Sequence, residues 1–139
     1  MEKIKSILPI LFLLIIIHGC SKEKEIPDGE VLVGDSYYHG YPDSPVTISD
    51  VAITGDILKV TIAASGCSGG TWKVNLVGSG SLMYSLPPKR MMRISLQNDE
   101  LCTAYVGRVI NFDLKPARIE GNQIVLLIDG WDDPVVYSY

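Results

Sequence analysis

The chain has 139 residues and a formal charge of −4, with 47% hydrophobic and 20% charged residues. That length holds one modest domain and not two independent cores. An acidic chain with no basic cluster excludes nucleic acid, whose phosphates need arrays of Lys and Arg; its 8% aromatics and abundant Val, Ile and Leu exclude disorder. Met1-Glu2-Lys3-Ile4-Lys5 gives a charged start, and residues 7–17 are then apolar, interrupted only by Pro9. Eleven helical residues reach about 16 Å, well short of the ~30 Å hydrocarbon core. The run therefore reads as the hydrophobic region of a secretion signal and not as a permanent span.

The run ends in Ile17-His18-Gly19-Cys20, with a small residue directly before a cysteine. This pattern resembles the lipobox of bacterial lipoproteins. The resemblance implies that residues 1–19 are a signal peptide and that Cys20 is the lipidated first residue of the mature chain. Losing Glu2, Lys3 and Lys5 leaves a net charge of −5. Several acyl chains, at ~0.8 kcal/mol per buried methylene, would anchor the protein stably to a membrane. Residues 20–30, with alternating charges closed by Pro27 and Gly29, read as a solvated tether. Ser21 after the cysteine resembles lipoproteins that travel on to the outer membrane. The expected location is the outer membrane, facing the periplasm or the surface.

Cys67 and Cys102 remain. An even pair in an exported chain reads as one disulfide. A cysteine nucleophile would need a histidine, and the mature chain has only His39; two cysteines alone do not close a zinc shell.

The rest, residues 31–139, alternates with period two. Leu58, Val60, Ile62 and Ala64 form one inward set, with Lys59 and Thr61 facing out. The same pattern gives strands at residues 31–33, 46–53, 57–64, 72–77, 82–84, 91–96, 102–114 (bent at Gly107), 124–128 and 135–139. A phase flip between Ile48 and Val51 predicts a bulge near Ser49-Asp50. Residues 124–128 are apolar on both faces, as in a central strand. Thr54-Gly55-Asp56 and Glu120-Gly121-Asn122 read as hairpin turns, and Pro87-Pro88 cannot continue a central strand. The expected fold is all-β: a single antiparallel two-layer sandwich of immunoglobulin-like type, with seven to nine strands and one disulfide.

The order Ile53-Thr54-Gly55-Asp56, Ser65-Gly66-Cys67, Trp72, Pro87-Pro88, Asp99-Glu100-Leu101-Cys102 and Asn111-Phe112-Asp113-Leu114 is similar to a group of small lipoproteins of Gram-negative gut anaerobes. The likeness covers residues 51–128. Relatives of that type often carry a histidine three residues after the first cysteine. Gly70 stands there, so no metal or acid-base role carries over. The group is uncharacterised; the resemblance implies fold and location and leaves activity open.

Several motifs suggest chemistry and fail its requirements. Gly66-Cys67-Ser68-Gly69-Gly70 matches G-x-S-x-G, but a nucleophile elbow needs a following helix and a later histidine, and neither is read here. Ser36 and His39 are three residues apart with nothing to orient the imidazole. Asp129, Asp132 and Asp133 match no calcium-loop spacing and read as a solvated turn. Lys89, Arg90 and Arg93 form the one basic patch and read as a solvated loop. The aromatics carry more. Tyr37, Tyr38 and Tyr41 fall in a Gly/Pro-rich loop, and Trp131, Tyr137 and Tyr139 crowd the C-terminal end, as residues that stack on sugars or anchor a partner do.

The expected function is that of a non-enzymatic module, without metal or cofactor, that binds another envelope or secreted protein through loops or a free sheet edge. The alternatives are glycan binding through Tyr37, Tyr38, Tyr41 and Trp131, and a passive envelope component.

Overall fold

The computed structural model describes residues 27–139. The expected signal peptide, Cys20 and most of the tether lie outside the described residues. The elements run β1 (Glu30–Val33), α1 (Asp35–Gly40), β2 (Thr47–Thr54), β3 (Ile57–Ser65), β4 (Lys73–Gly78), β5 (Lys89–Gln97), β6 (Tyr105–Asp113), the 3-10 turn η1 (Lys115–Ala117), β7 (Gln123–Ile128) and β8 (Val135–Ser138).

Two sheets form, one ordered β1-β4-β5-β7-β8 and the other β2-β3-β6. The all-β two-layer sandwich is therefore present, with eight strands and the Cys67–Cys102 disulfide. Alternation sets the core as expected: Leu58, Val60, Ile62 and Ala64 from β3 face Leu76, Met92, Ile94, Leu96, Ile124 and Leu126 of the larger sheet. Tyr137 and Phe112 are the largest fully buried side chains. The bulge lies where the phase flips, with the β2–β3 register shifting between Ile48 and Asp50. β7 sits inside its sheet between β5 and β8, and both Leu126 and the opposite-facing Val125 are buried.

The larger sheet is mixed, however, and not wholly antiparallel. β1 pairs parallel to β4, and β5 pairs parallel to β7. In each case the intervening strands cross to the other sheet, and the chain returns in the direction it left; parallel neighbours require such a crossover. Immunoglobulin domains place their first, second, fourth and fifth strands in one sheet, so the strand order here is different. For the same reason Glu120-Gly121-Asn122 closes no hairpin. It ends the crossover from β6 through Pro116 and η1 to β7, with Gly121 at φ +106°.

Other expected bounds also move. Residues 82–84 form no strand; Met83 makes a single bridge to Lys89. Residues 102–104 lie in a loop, and β6 pairs with β3 from Tyr105 to Asp113 with no break at Gly107. The tyrosine segment is not a loop but a short helix, α1, whose Tyr37 and Tyr38 N–H groups donate to the Gly34 carbonyl at 3.1 and 2.9 Å.

Candidate functional site

The expected aromatic residues separate into two neighbouring groups. Tyr37 and Tyr41 meet edge to face with centroids 5.5 Å apart. Tyr38 and Tyr41 are fixed through their backbone by Arg93 of β5, whose Nε and Nη2 donate to the Tyr38 and Tyr41 carbonyls at 2.8 and 3.0 Å. Its Nη1 reaches the Pro42 carbonyl at 3.4 Å and Asp43 at 3.6 Å, and the guanidinium lies 5.8 Å from the Tyr38 ring centroid. The fork geometry of arginine suits it to collect several carbonyls at once.

Trp131 is half-buried against the core. It lines a cleft of about 330 Å³ with Met91, Asp129 and Asp132. A second cleft, of about 340 Å³, runs alongside between Arg93, Asp43 and Asp129, and Gly130 belongs to both. The structure thus brings Trp131 near the Arg93–α1 clasp, though its ring stacks on none of the three tyrosines. Tyr137 is wholly core, and Tyr139 is half-buried, its hydroxyl bonded to the backbone of Ile119. Among the described residues no group of three or more His, Cys, Asp or Glu side chains could hold a metal ion, the aspartates beside Trp131 included.

The expected solvated basic patch does not form. Arg90 takes the phase of Met92 and Ile94, so its side chain is buried, with Nη1 donating to the Ser79 carbonyl; burial holds its pKa below the ordinary value. Arg93 is consumed under α1.

The glycine-rich turn holds something the sequence reading missed. Glu100 places Oε2 against the N–H groups of Cys67, Ser68 and Gly69, at 2.5, 3.0 and 3.0 Å, and Oε1 accepts from the Thr71 hydroxyl at 2.9 Å. Successive backbone N–H groups of this kind form an anion nest. Here the chain's own carboxylate fills it, and these bonds, led by that from Gly69, hold Glu100 at about 2. Gly66 is required for the fit: a Cβ there would lie 2.5 Å from Glu100 Oε2. Ser68, the would-be nucleophile, instead accepts the Gly70 N–H at 3.2 Å. His39 is on α1 beside the Tyr38 ring. The available signal was an acidic residue two places before the second cysteine.

A further surface also went unread. Residues 79–88 form a loop held by the Met83–Lys89 backbone pair at 2.8 and 3.2 Å, with the Ser85 hydroxyl donating to the Pro87 carbonyl at 2.7 Å. The Leu86–Pro87 peptide is cis. From this braced loop Tyr84 and Leu86 project fully into solvent, with Met83 half-exposed beside them. Leu86, Pro87 and Pro88 also line a recess of about 370 Å³ with residues 120–123.

No family model and no curated protein matches the chain. Two solved structures share its fold. One is a protein of unknown function, DUF1344, from Bacteroides vulgatus ATCC 8482, with TM-score 0.55 and 19% identity over 82% of this chain and 57% of that one. The other is a NigD-like immunity protein from Bacteroides caccae ATCC 43185, with TM-score 0.59 and 11% identity over 79% of this chain and 64% of that one. The chain therefore spans less than two thirds of either neighbour. At these identities the likeness is one of fold.

Proposed function

We propose that this protein is a lipid-anchored β-sandwich of the outer membrane that binds another envelope or secreted protein. The observation that carries the reading is the pair Tyr84 and Leu86, fully exposed on a loop whose own hydrogen bonds hold it in shape. Large apolar side chains on a pre-organised loop lose little entropy on docking, and aromatic anchors supply much of the energy at protein interfaces. The structural neighbour described as an immunity protein fits a binding role of this kind. The lipobox at Cys20 supplies the anchor in this reading. A second reading, glycan binding, is favoured by the two adjoining clefts between Trp131 and Arg93.

One experiment separates them. The full chain in detergent is used to capture solubilised envelope proteins and polysaccharide from its native host, beside Tyr84→Ser/Leu86→Ser and Trp131→Ala. A stoichiometric protein held by wild type and Trp131→Ala but lost from the loop variant supports the reading. Polysaccharide lost only from Trp131→Ala replaces it with the glycan reading. Capture unchanged in both variants overturns both.

A further inference from the structure

We propose that the open edge of β6 is a self-association site, where a second copy of this chain pairs antiparallel about Gly107 and continues the β2-β3-β6 sheet across a two-fold axis. The argument begins at Asn111. Its N–H donates to Asp28 Oδ1 at 2.6 Å, and its carbonyl accepts from the Asp28 and Gly29 N–H groups at 3.0 and 3.1 Å. Both backbone groups of Asn111 thus point away from β3. Strand alternation turns Val109, Gly107 and Tyr105 the same way, leaving the even-numbered residues to bond β3. Beyond β6, the Ala104 carbonyl keeps this phase by accepting from Gly66 at 2.8 Å. Among the described residues nothing pairs with the outward N–H and C=O groups of Tyr105, Gly107 and Val109.

This open stretch has Gly107 at its centre, and the glycine is not needed by its own fold. Its φ is not positive, and a Cβ there would meet only the Ile62 carbonyl oxygen, at an ordinary 3.7 Å. Glycine weakens a strand interior and marks places where another backbone comes close. Pairing Gly107 with its symmetry copy sets Tyr105 opposite the partner's Val109, and the reverse. Each of the three pairs then exchanges both of its backbone hydrogen bonds. Tyr105 and Val109, 67% and 49% exposed on the outer face, become aromatic–β-branched cross-strand pairs.

Charge permits the meeting. The outward residues are uncharged, and Arg108 is turned away, donating to the Gly69 carbonyl at 2.7 Å. Proteins usually block an edge with lysine, proline or a bulge. β2, at the other side of this sheet, carries the bulge at Ser49; β6 carries none of these devices. Among the described residues only the far end of the edge is covered, by Asp28 and by Gly29, which bridges Phe112 in parallel, and a symmetric pairing needs only the stretch from Tyr105 to Val109.

The test is the oligomeric state of the full chain in detergent, by sedimentation across a wide concentration range, beside Val109→Lys and Gly107→Pro. Proline at 107 removes an outward N–H without touching the β3 ladder. The expected result is a concentration-dependent dimer whose association weakens at least about tenfold in both variants, with melting temperature retained. A monomer at every concentration overturns the proposal, as does a dimer indifferent to both substitutions. A monomer with the Gly107 and Val109 amides protected from exchange also overturns it, because another part of the same chain then holds the edge. Tyr84→Ser/Leu86→Ser leaves the dimer intact, which keeps this test distinct from that of the binding loop.

Discussion

The phenol of Tyr137, buried at the end of the larger sheet, donates to Asp56 Oδ1 at 2.6 Å, across to the turn that joins β2 and β3. Arg118 completes the link, with Nε donating to the Tyr137 oxygen at 2.8 Å and Nη2 to the same Asp56 oxygen at 2.6 Å. Its guanidinium also lies 4.9 Å from the Tyr139 ring centroid. One carboxylate thus ties together the smaller sheet, the crossover and the C-terminal strand. Tyr137→Phe keeps the packing and removes the central hydroxyl. The expected result is a melting temperature lower by about 5 °C. A double cycle with Asp56→Asn should show the two losses to be coupled and not additive.

Glu100 makes a pH prediction with a definite sign. Its carboxyl is held at about 2 against an ordinary 4.5, by N–H bonds led by that from Gly69. A group whose folded pKa is depressed stabilises the fold above its unfolded pKa. That stability is lost as pH falls from about 4.5 toward 2. Asp56 is lowered in the same direction, by its bonds from Tyr137 and Arg118. Stability measured by urea denaturation should therefore fall steadily below pH 4.5. Glu100→Gln should flatten part of that slope while lowering stability at neutral pH; an unchanged slope would mean the nest does not set the acid response.

Much of this fold could be read from the residues, and the misses have physical reasons. Period-two runs such as Leu58-Lys59-Val60-Thr61-Ile62 disclose which side chains face inward. They carry no information on whether the neighbour runs parallel, as β7 does beside β5. α1 is too short to show helical periodicity, and its hold comes from Arg93, distant in sequence. The nest around Glu100 is built from backbone N–H groups, which leave no side-chain signature. The charge of Arg90 and its place after Pro88 suggest a loop, whereas its burial follows from sharing the strand phase of Met92 and Ile94. The alternation of Leu82 and Tyr84 reads as a strand, and the full exposure of Tyr84 comes from a loop bend that alternation does not disclose.

The disulfide has a measurable share in holding the nest shut. Cys67 donates its N–H to Glu100, and Cys102 follows Glu100 by two residues, so the bridge closes the loop around that carboxylate. A separation of 35 residues predicts a stabilisation of about 3–4 kcal/mol through the unfolded chain. Cys67→Ala/Cys102→Ala should lose about that much in equilibrium denaturation. Alkylation without reduction should label neither cysteine.

Arg93 separates local order from global stability. Its side chain is nearly buried and gathers the carbonyls of Tyr38, Tyr41 and Pro42, while Ser95 donates to Pro42 at 2.7 Å from the same strand. α1 buries no residue of its own, so little besides this clasp holds its C-terminal end to the sheet. Arg93→Ala should release residues 38–43, with amide exchange there faster by on the order of tenfold while the β3 and β7 amides stay protected. Arg93→Lys should not restore protection, since an ammonium cannot span carbonyls spaced for a planar fork. The same variant bears on the clefts beside Trp131, because Arg93 is one wall of the second. If glycan binding resides there, Arg93→Ala should weaken it while protein capture through Tyr84 and Leu86 continues, and hydrogen exchange read alongside both assays tells loss of a wall from loss of the fold.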